Sequence, residues 1–208
     1  MRRTVRGDGR AASHHQHEDI AVTPNSIRSP LLCDWRADVD ALVARAAAVT
    51  TGLTPAQFVQ RPADGGWSIA EVFEHLVVTD GLYLPKLEQL VMRAPRPASV
   101  PAWTPGFFGR WLLKAIDPSN TAKTNSPPAF RPGPAVRPKV VGAFLDHMAR
   151  YASLLEAADG ADLNAPRMGS PALFLIRLNL GDALRVQIVH AQRHLGQCER
   201  VRRSVAAE

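Results

Sequence analysis

Only two of the 208 residues are cysteine and only 6% are aromatic. Cys33 and Cys198 cannot build a disulfide framework, so the sequence points to a reducing, cytoplasmic setting. No run approaches the roughly 18 consecutive apolar residues of a membrane-spanning helix. A Gly-rich phosphate loop, a CxxC pair and a G-x-S-x-G elbow are all missing, which removes ordinary nucleotide, dithiol-redox and serine-hydrolase sites. There is no strand-like alternation and no internal repeat. What is present is 46% hydrophobic and 21% charged, with a mean hydropathy of −0.11. That is too apolar for a disordered chain, and the length suits one domain with a tail.

The net charge of +6 raises the question of nucleic acid, and its distribution answers it. Residues 93–139 hold eight basic side chains, from Arg93 to Lys139, against Asp117 alone. The basicity therefore belongs to a connecting segment and not to a helix face. No recognition helix or aromatic stacking motif accompanies it, so nucleic acid is not the expected partner. Such a segment favours anionic small molecules by local attraction, or else it only keeps a proline-rich stretch solvated. Residues 1–30 carry Arg2, Arg3, Arg6 and Arg10 with no apolar stretch behind them, and they read as a disordered leader rather than a secretory signal. His14, His15 and His17 within it could take up metal opportunistically.

Helical periodicity dominates the rest. Leu31, Leu32, Trp35, Val39, Leu42, Val43 and Ala46 recur at intervals of three and four, giving a first helix that stops near Gly52. Thr54-Pro55 opens a short turn. Ser68 followed by Glu71 is a capping box that starts a second helix reaching about residue 92, with Pro85 expected to kink it. Residues 94–138 then hold ten of the seventeen prolines. Inside that stretch Phe107, Phe108, Trp111, Leu112 and Ile116 line one side of a short helix. It reads as a lid, an oligomer contact, a membrane-surface element or a segment packed back on the core. A third helix follows Pro138 and runs to Asp159-Gly160. After a connector, a fourth starts near Asp182. The fold class is all-α: a four-helix bundle over residues 31–204, with a long Pro-rich insertion at 94–138 between helices two and three and a tail at 205–208.

Three histidines stand out. His190 and His194 are four apart and so project from consecutive turns on one side of a helix, a spacing that can hold one metal ion. His75 lies at the margin of the second helix's apolar face. Histidines at the facing margins of two helices can supply three nitrogens and leave positions open for water or substrate. They can equally be satisfied, half-buried side chains with no ion. Cys198 is one turn beyond His194 and reads as core packing. Glu71 caps its helix or orients His75. Gln187 and Gln197 read mainly as helix surface, His147 as solvated or capping, and Trp67 as a staple ahead of Ser68.

The segments GGWSIAEVFEHL at 65–76 and VHAQRHLGQ at 189–197 together resemble the DinB/YfiT-like superfamily, over roughly residues 31–204. The resemblance implies a four-helix bundle whose metal ligands are His75, His190 and His194, holding a divalent ion such as nickel, zinc or iron. It implies a metal-dependent enzyme acting on a small-molecule substrate, of hydrolase type or of thiol-dependent transferase or isomerase type with a low-molecular-weight thiol as cosubstrate. The 94–138 segment departs from the compact members. The alternative is a non-catalytic metal- or small-ligand-binding bundle whose insertion mediates association into a homodimer.

Overall fold

Proline at the first helical position costs no hydrogen bond, and Pro30 starts α1 (Pro30–Thr50) in this way. Its buried stripe is Leu32, Trp35, Val39, Leu42, Ala46 and Val49, while Val43 turns outward. Thr54 and Gln57 form a capping box for the short α2 (Pro55–Val59). Ser68 and Glu71 form the expected one for α3 (Ile69–Met92), which continues through Pro85. The computed structural model describes residues 27–120, 125–172 and 175–205. Most of the leader expected at 1–30, and all of the expected tail except Val205, lie outside the described residues. Ile27, the first described residue, is buried in the core, and Arg28 and Ser29 both donate to the Asp159 carboxylate.

The remaining long helices are α5 (Val140–Ala157) and α6 (Leu180–Val205). Both α1 and α3 pack against α5 and against α6, so α1 and α3 stand diagonally across a four-helix bundle. Leu42, Phe73, Leu76, Phe144, Leu155, Leu184 and Leu195 fill its centre with no exposed surface. Phe73 and Phe144 meet edge to face, with centroids 5.3 Å apart. The α5–α6 connector adds a detail the sequence did not signal: Arg167–Gly169 (β1) and Arg177–Asn179 (β2) form an antiparallel ladder pairing Met168 with Leu178. Strands of three residues are too short to show alternation in a sequence. The helix after them begins at Leu180, slightly earlier than expected. Asn179 accepts from the Asp182 amide at 2.7 Å and its own amide donates to the Asp182 carboxylate, a reciprocal cap.

The 94–138 segment is fastened to the bundle. It carries α4 (Phe107–Ala115), which packs on α6 and β2, and a 3-10 turn at Pro128–Phe130. On α4, Gly109 is buried and Leu112 packs against the core. Phe107 and Trp111 are 73% and 51% exposed, so the aromatic side expected to be continuous is split. Several of the basic side chains act as ties. Arg96 donates to the carbonyls of Ala157 and Asp159, Arg110 to Pro105, and Arg131 to Ser126.

The docking of α4 and of Trp103 just before it leaves no room at two glycines. A Cβ on Gly109 would fall 2.2 Å from the Asp182 carboxylate, and one on Gly181 would fall 2.2 Å from the Trp103 indole. Asp182 is buried and already holds the Gly106 amide, so it cannot swing aside. Gly109→Ala is therefore expected to destabilise the protein by about 1–3 kcal/mol. Urea unfolding checks this, and a parental midpoint would show that α4 is not seated on Asp182.

Candidate metal centre

The Ser68 cap fixes where α3 begins and hence which residues face α6. Ser68 Oγ accepts from the Glu71 amide at 3.2 Å, and Glu71 Oε2 accepts from the Ser68 amide at 2.9 Å. Glu71 is further held by Arg61. Burial pushes the Glu71 carboxyl up, but the bonds from Arg61 and Ser68 outweigh it and hold the group below its ordinary range. Glu71 is thus a cap, and it makes no bond to His75. Two turns from the cap, α3 presents His75 to α6.

There the three expected ligands come together. His75 Nε2 lies 3.2 Å from His190 Nε2. The ring centroids are 5.1 Å apart for His75 and His190, 4.6 Å for His75 and His194, and 4.5 Å for His190 and His194. One ligand atom from each residue can be chosen so that all three lie within 4.8 Å of one another. Three nitrogens about 2.1 Å from a tetrahedral ion would be roughly 3.4 Å apart, close to the 3.2 Å between the Nε2 atoms of His75 and His190, so the cluster could hold one ion.

The hydrogen bonds on the far side of two rings set the tautomers. His75 Nδ1 is 2.5 Å from the Phe130 carbonyl oxygen, which only accepts, so Nδ1 carries the proton and Nε2 is bare. His194 Nδ1 is 3.0 Å from Gln197 Oε1, which leaves its Nε2 bare as well. His190 Nδ1 is shut off from solvent with no hydrogen-bond partner among the described residues. Gln187, one turn before it, is buried with its Oε1 likewise unpartnered. Neither glutamine is simple helix surface, as the sequence had suggested. All three imidazoles are held in the neutral, ligand-competent form. Burial lowers the His75 pKa against the pull of the Phe130 carbonyl. Burial and then the neighbouring His194 and His75 push His190 well down, and burial with His75 takes His194 to about 3. A donor set of three neutral imidazoles suits a borderline divalent ion such as zinc, nickel or iron.

Several residues are placed differently from expectation. Trp67 does more than precede the cap, because its ring lies 4.9 Å from His75 and 6.5 Å from His194, roofing one side of the cluster. Cys198, by contrast, is where it was expected, fully buried in the hydrophobic core. Burial raises its thiol pKa, so it offers no thiolate ligand. His147 is neither solvated nor a cap: its Nδ1 faces the buried Asp80 carboxylate at 3.5 Å. Asp80 also accepts from Tyr151 at 2.9 Å, and burial pushes its carboxyl up. Sequence reasoning missed Phe130, whose contribution is a backbone oxygen with no side-chain signature. It also missed Glu74, which accepts from Arg137.

An all-α bundle with three histidines converging between two of its helices defines a class of protein built around a helical site able to hold a metal ion. The family model of the DinB superfamily matches residues 39–198, more than half of the chain, and the protein belongs to that superfamily. No curated protein and no solved structure matches the chain. Among the described residues no helix is long and apolar enough to cross a membrane.

The depressed histidine pKa values have a definite sign. Between the folded pKa values and about 6.5 the unfolded chain binds protons at these positions and the folded chain does not. Stability is therefore full above about pH 6.5 and falls as the pH drops toward 3. Urea titrations of metal-free protein at pH 7.5 and 5.0 should show a lower midpoint at 5.0. Replacing His190 and His194 together by glutamine should flatten that difference.

Proposed function

We propose that the protein is a metal-dependent enzyme in which His75, His190 and His194 hold one divalent ion, with nickel, zinc or iron as candidates. The observation that carries this reading is the convergence of three neutral imidazoles, two of them with Nε2 left bare by bonds on their opposite nitrogens. A bound ion would supply Lewis acidity, polarising a substrate carbonyl or lowering the pKa of a water or thiol. The chain's own contribution is orientation and shielding. Phe130 and Gln197 fix the ring planes, and Trp67 excludes water from one side. The reaction is of hydrolase type or of thiol-dependent transferase or isomerase type, with a low-molecular-weight thiol as cosubstrate. Two unpaired cysteines support a cytoplasmic location.

The exposed aromatics of α4 favour a second reading of that face. Phe107, Phe108 and Trp111 are more apolar surface than a small active site uses, and they suit association into a homodimer. In that case the bundle is a non-catalytic binding module or an enzyme that works as a dimer. Sedimentation of Trp111→Glu beside the parent tests the association, because a dimer through α4 would dissociate and an unchanged mass in both would rule that dimer out.

Metal analysis tests the main reading. His14, His15 and His17 are replaced by serine in both proteins compared, so that the N-terminal histidines contribute nothing. The parent should retain one equivalent of metal and the His190→Ala/His194→Ala variant essentially none, with equal content in the two sinking the reading. At a metal concentration about 100 times Kd the parent should gain ~2.7 kcal/mol of stability that the variant lacks. A further thermal shift of the loaded parent with a carboxylate-bearing thiol would favour the transferase type, and its absence the hydrolase type.

A further inference from the structure

Glu74 is a carboxylate only 4% exposed on a helix face, next in sequence to a metal-ligand candidate, and neither capping nor core packing accounts for it. Its partner comes from 63 residues away. Glu74 accepts the Arg137 backbone amide at 3.1 Å, Nε at 2.9 Å and Nη2 at 2.7 Å. Seven residues earlier, the Phe130 carbonyl accepts the hydrogen bond from His75 Nδ1. Residues 130–137 (FRPGPAVR) are therefore clipped at both ends to consecutive residues of α3. Pro132 and Pro134 restrict the backbone between the clips. The Phe130 ring is itself buried in the core, and its amide donates to Pro127 at 3.0 Å, which holds the carbonyl in place. On the other side of the cluster Arg193, between His190 and His194, donates to the carbonyls of Asp117 and Asn120. The 94–138 segment thus grips both helices that carry the histidines.

We infer that Glu74 and Arg137 are positioning residues: their two-pronged ion pair sets residues 130–137 as a strap whose Phe130 carbonyl orients the His75 imidazole, so that metal binding and docking of the strap are coupled. The inference rests on the proposal that the triad binds metal. A two-pronged guanidinium–carboxylate pair fixes direction as well as distance, which a single point charge would not. Loss of the clip frees the carbonyl, lets His75 carry its proton on either nitrogen, and removes the preset lone pair from the cluster. Reciprocity requires that an ion bound at Nε2 also hold the strap down.

The test uses the full chain with Glu74→Gln, Arg137→Ala and, as the mildest change, Arg137→Lys, each checked for parental helix content by circular dichroism. Zinc affinity is read by competition with a chromophoric chelator. The His75 tautomer is read by long-range nitrogen–proton NMR in metal-free protein, and the strap by hydrogen exchange at the Phe130 and Arg131 amides. Expected are a zinc affinity 10–100-fold weaker, mixed His75 tautomers and faster exchange at both amides, with zinc slowing that exchange in the parent. Arg137→Lys should fall between. A merely structural tie would lower stability while leaving zinc affinity and tautomer parental, and that result overturns the inference. If the parent itself takes up no zinc, the metal reading fails. The tautomer and exchange measurements on metal-free protein then still decide whether the clip orients His75.

Discussion

Packing of α3 against α6 is the constraint from which the site follows. Both helices are anchored at their starts by reciprocal side-chain caps, Ser68 with Glu71 and Asn179 with Asp182. A capped start fixes the rotational phase of a helix, and the phase decides which residues meet the neighbour. With both phases set and the leucine-rich interior filled, His75 has nowhere to go but the seam occupied by His190 and His194. The cluster is in this sense a by-product of core packing. The burial that disfavours imidazolium is the same burial that makes these rings good donors.

Much of this was readable from residue order. The capping box at Ser68, the proline entry of α1 and the three-and-four spacing of Leu32, Trp35, Val39 and Leu42 are local signals, and each element appears where its signal lies. His190 and His194 carry their relation in their spacing. That His75 joins them depends on the mutual rotation of two helices: its place at the margin of an apolar face left the meeting open, and the family resemblance named it. The unread parts are all tertiary. The β1–β2 ladder is set by pairing across a turn, and three residues per strand give periodicity nothing to act on. Phe130 acts through its carbonyl, which every residue possesses. Trp67 reads as a staple because its position before a cap is local, whereas its place over the histidines depends on α6.

The proline-rich stretch shows how composition can mislead. Eight cations and ten prolines suggest a solvated loop seeking an anion. The structure instead spends Arg96 on carbonyls at the end of α5, Arg137 on Glu74, and Arg110 and Arg131 on carbonyls of the segment itself, where a guanidinium satisfies acceptors the backbone leaves open. Prolines do the complementary work, since a chain with few amide donors loses little by lying against a bundle outside regular structure.

The neutrality of the three imidazoles has a consequence for the life history of the molecule. Clustered thiolates or carboxylates repel one another until a cation arrives, and domains built on them often cannot fold empty. Uncharged rings impose no such repulsion, and here the bundle's core is complete without help from them. Assembly of the chain therefore does not wait on an ion. Any ion held at the triad would be taken up by a chain already folded, and supply at the time of loading would then decide which one it is.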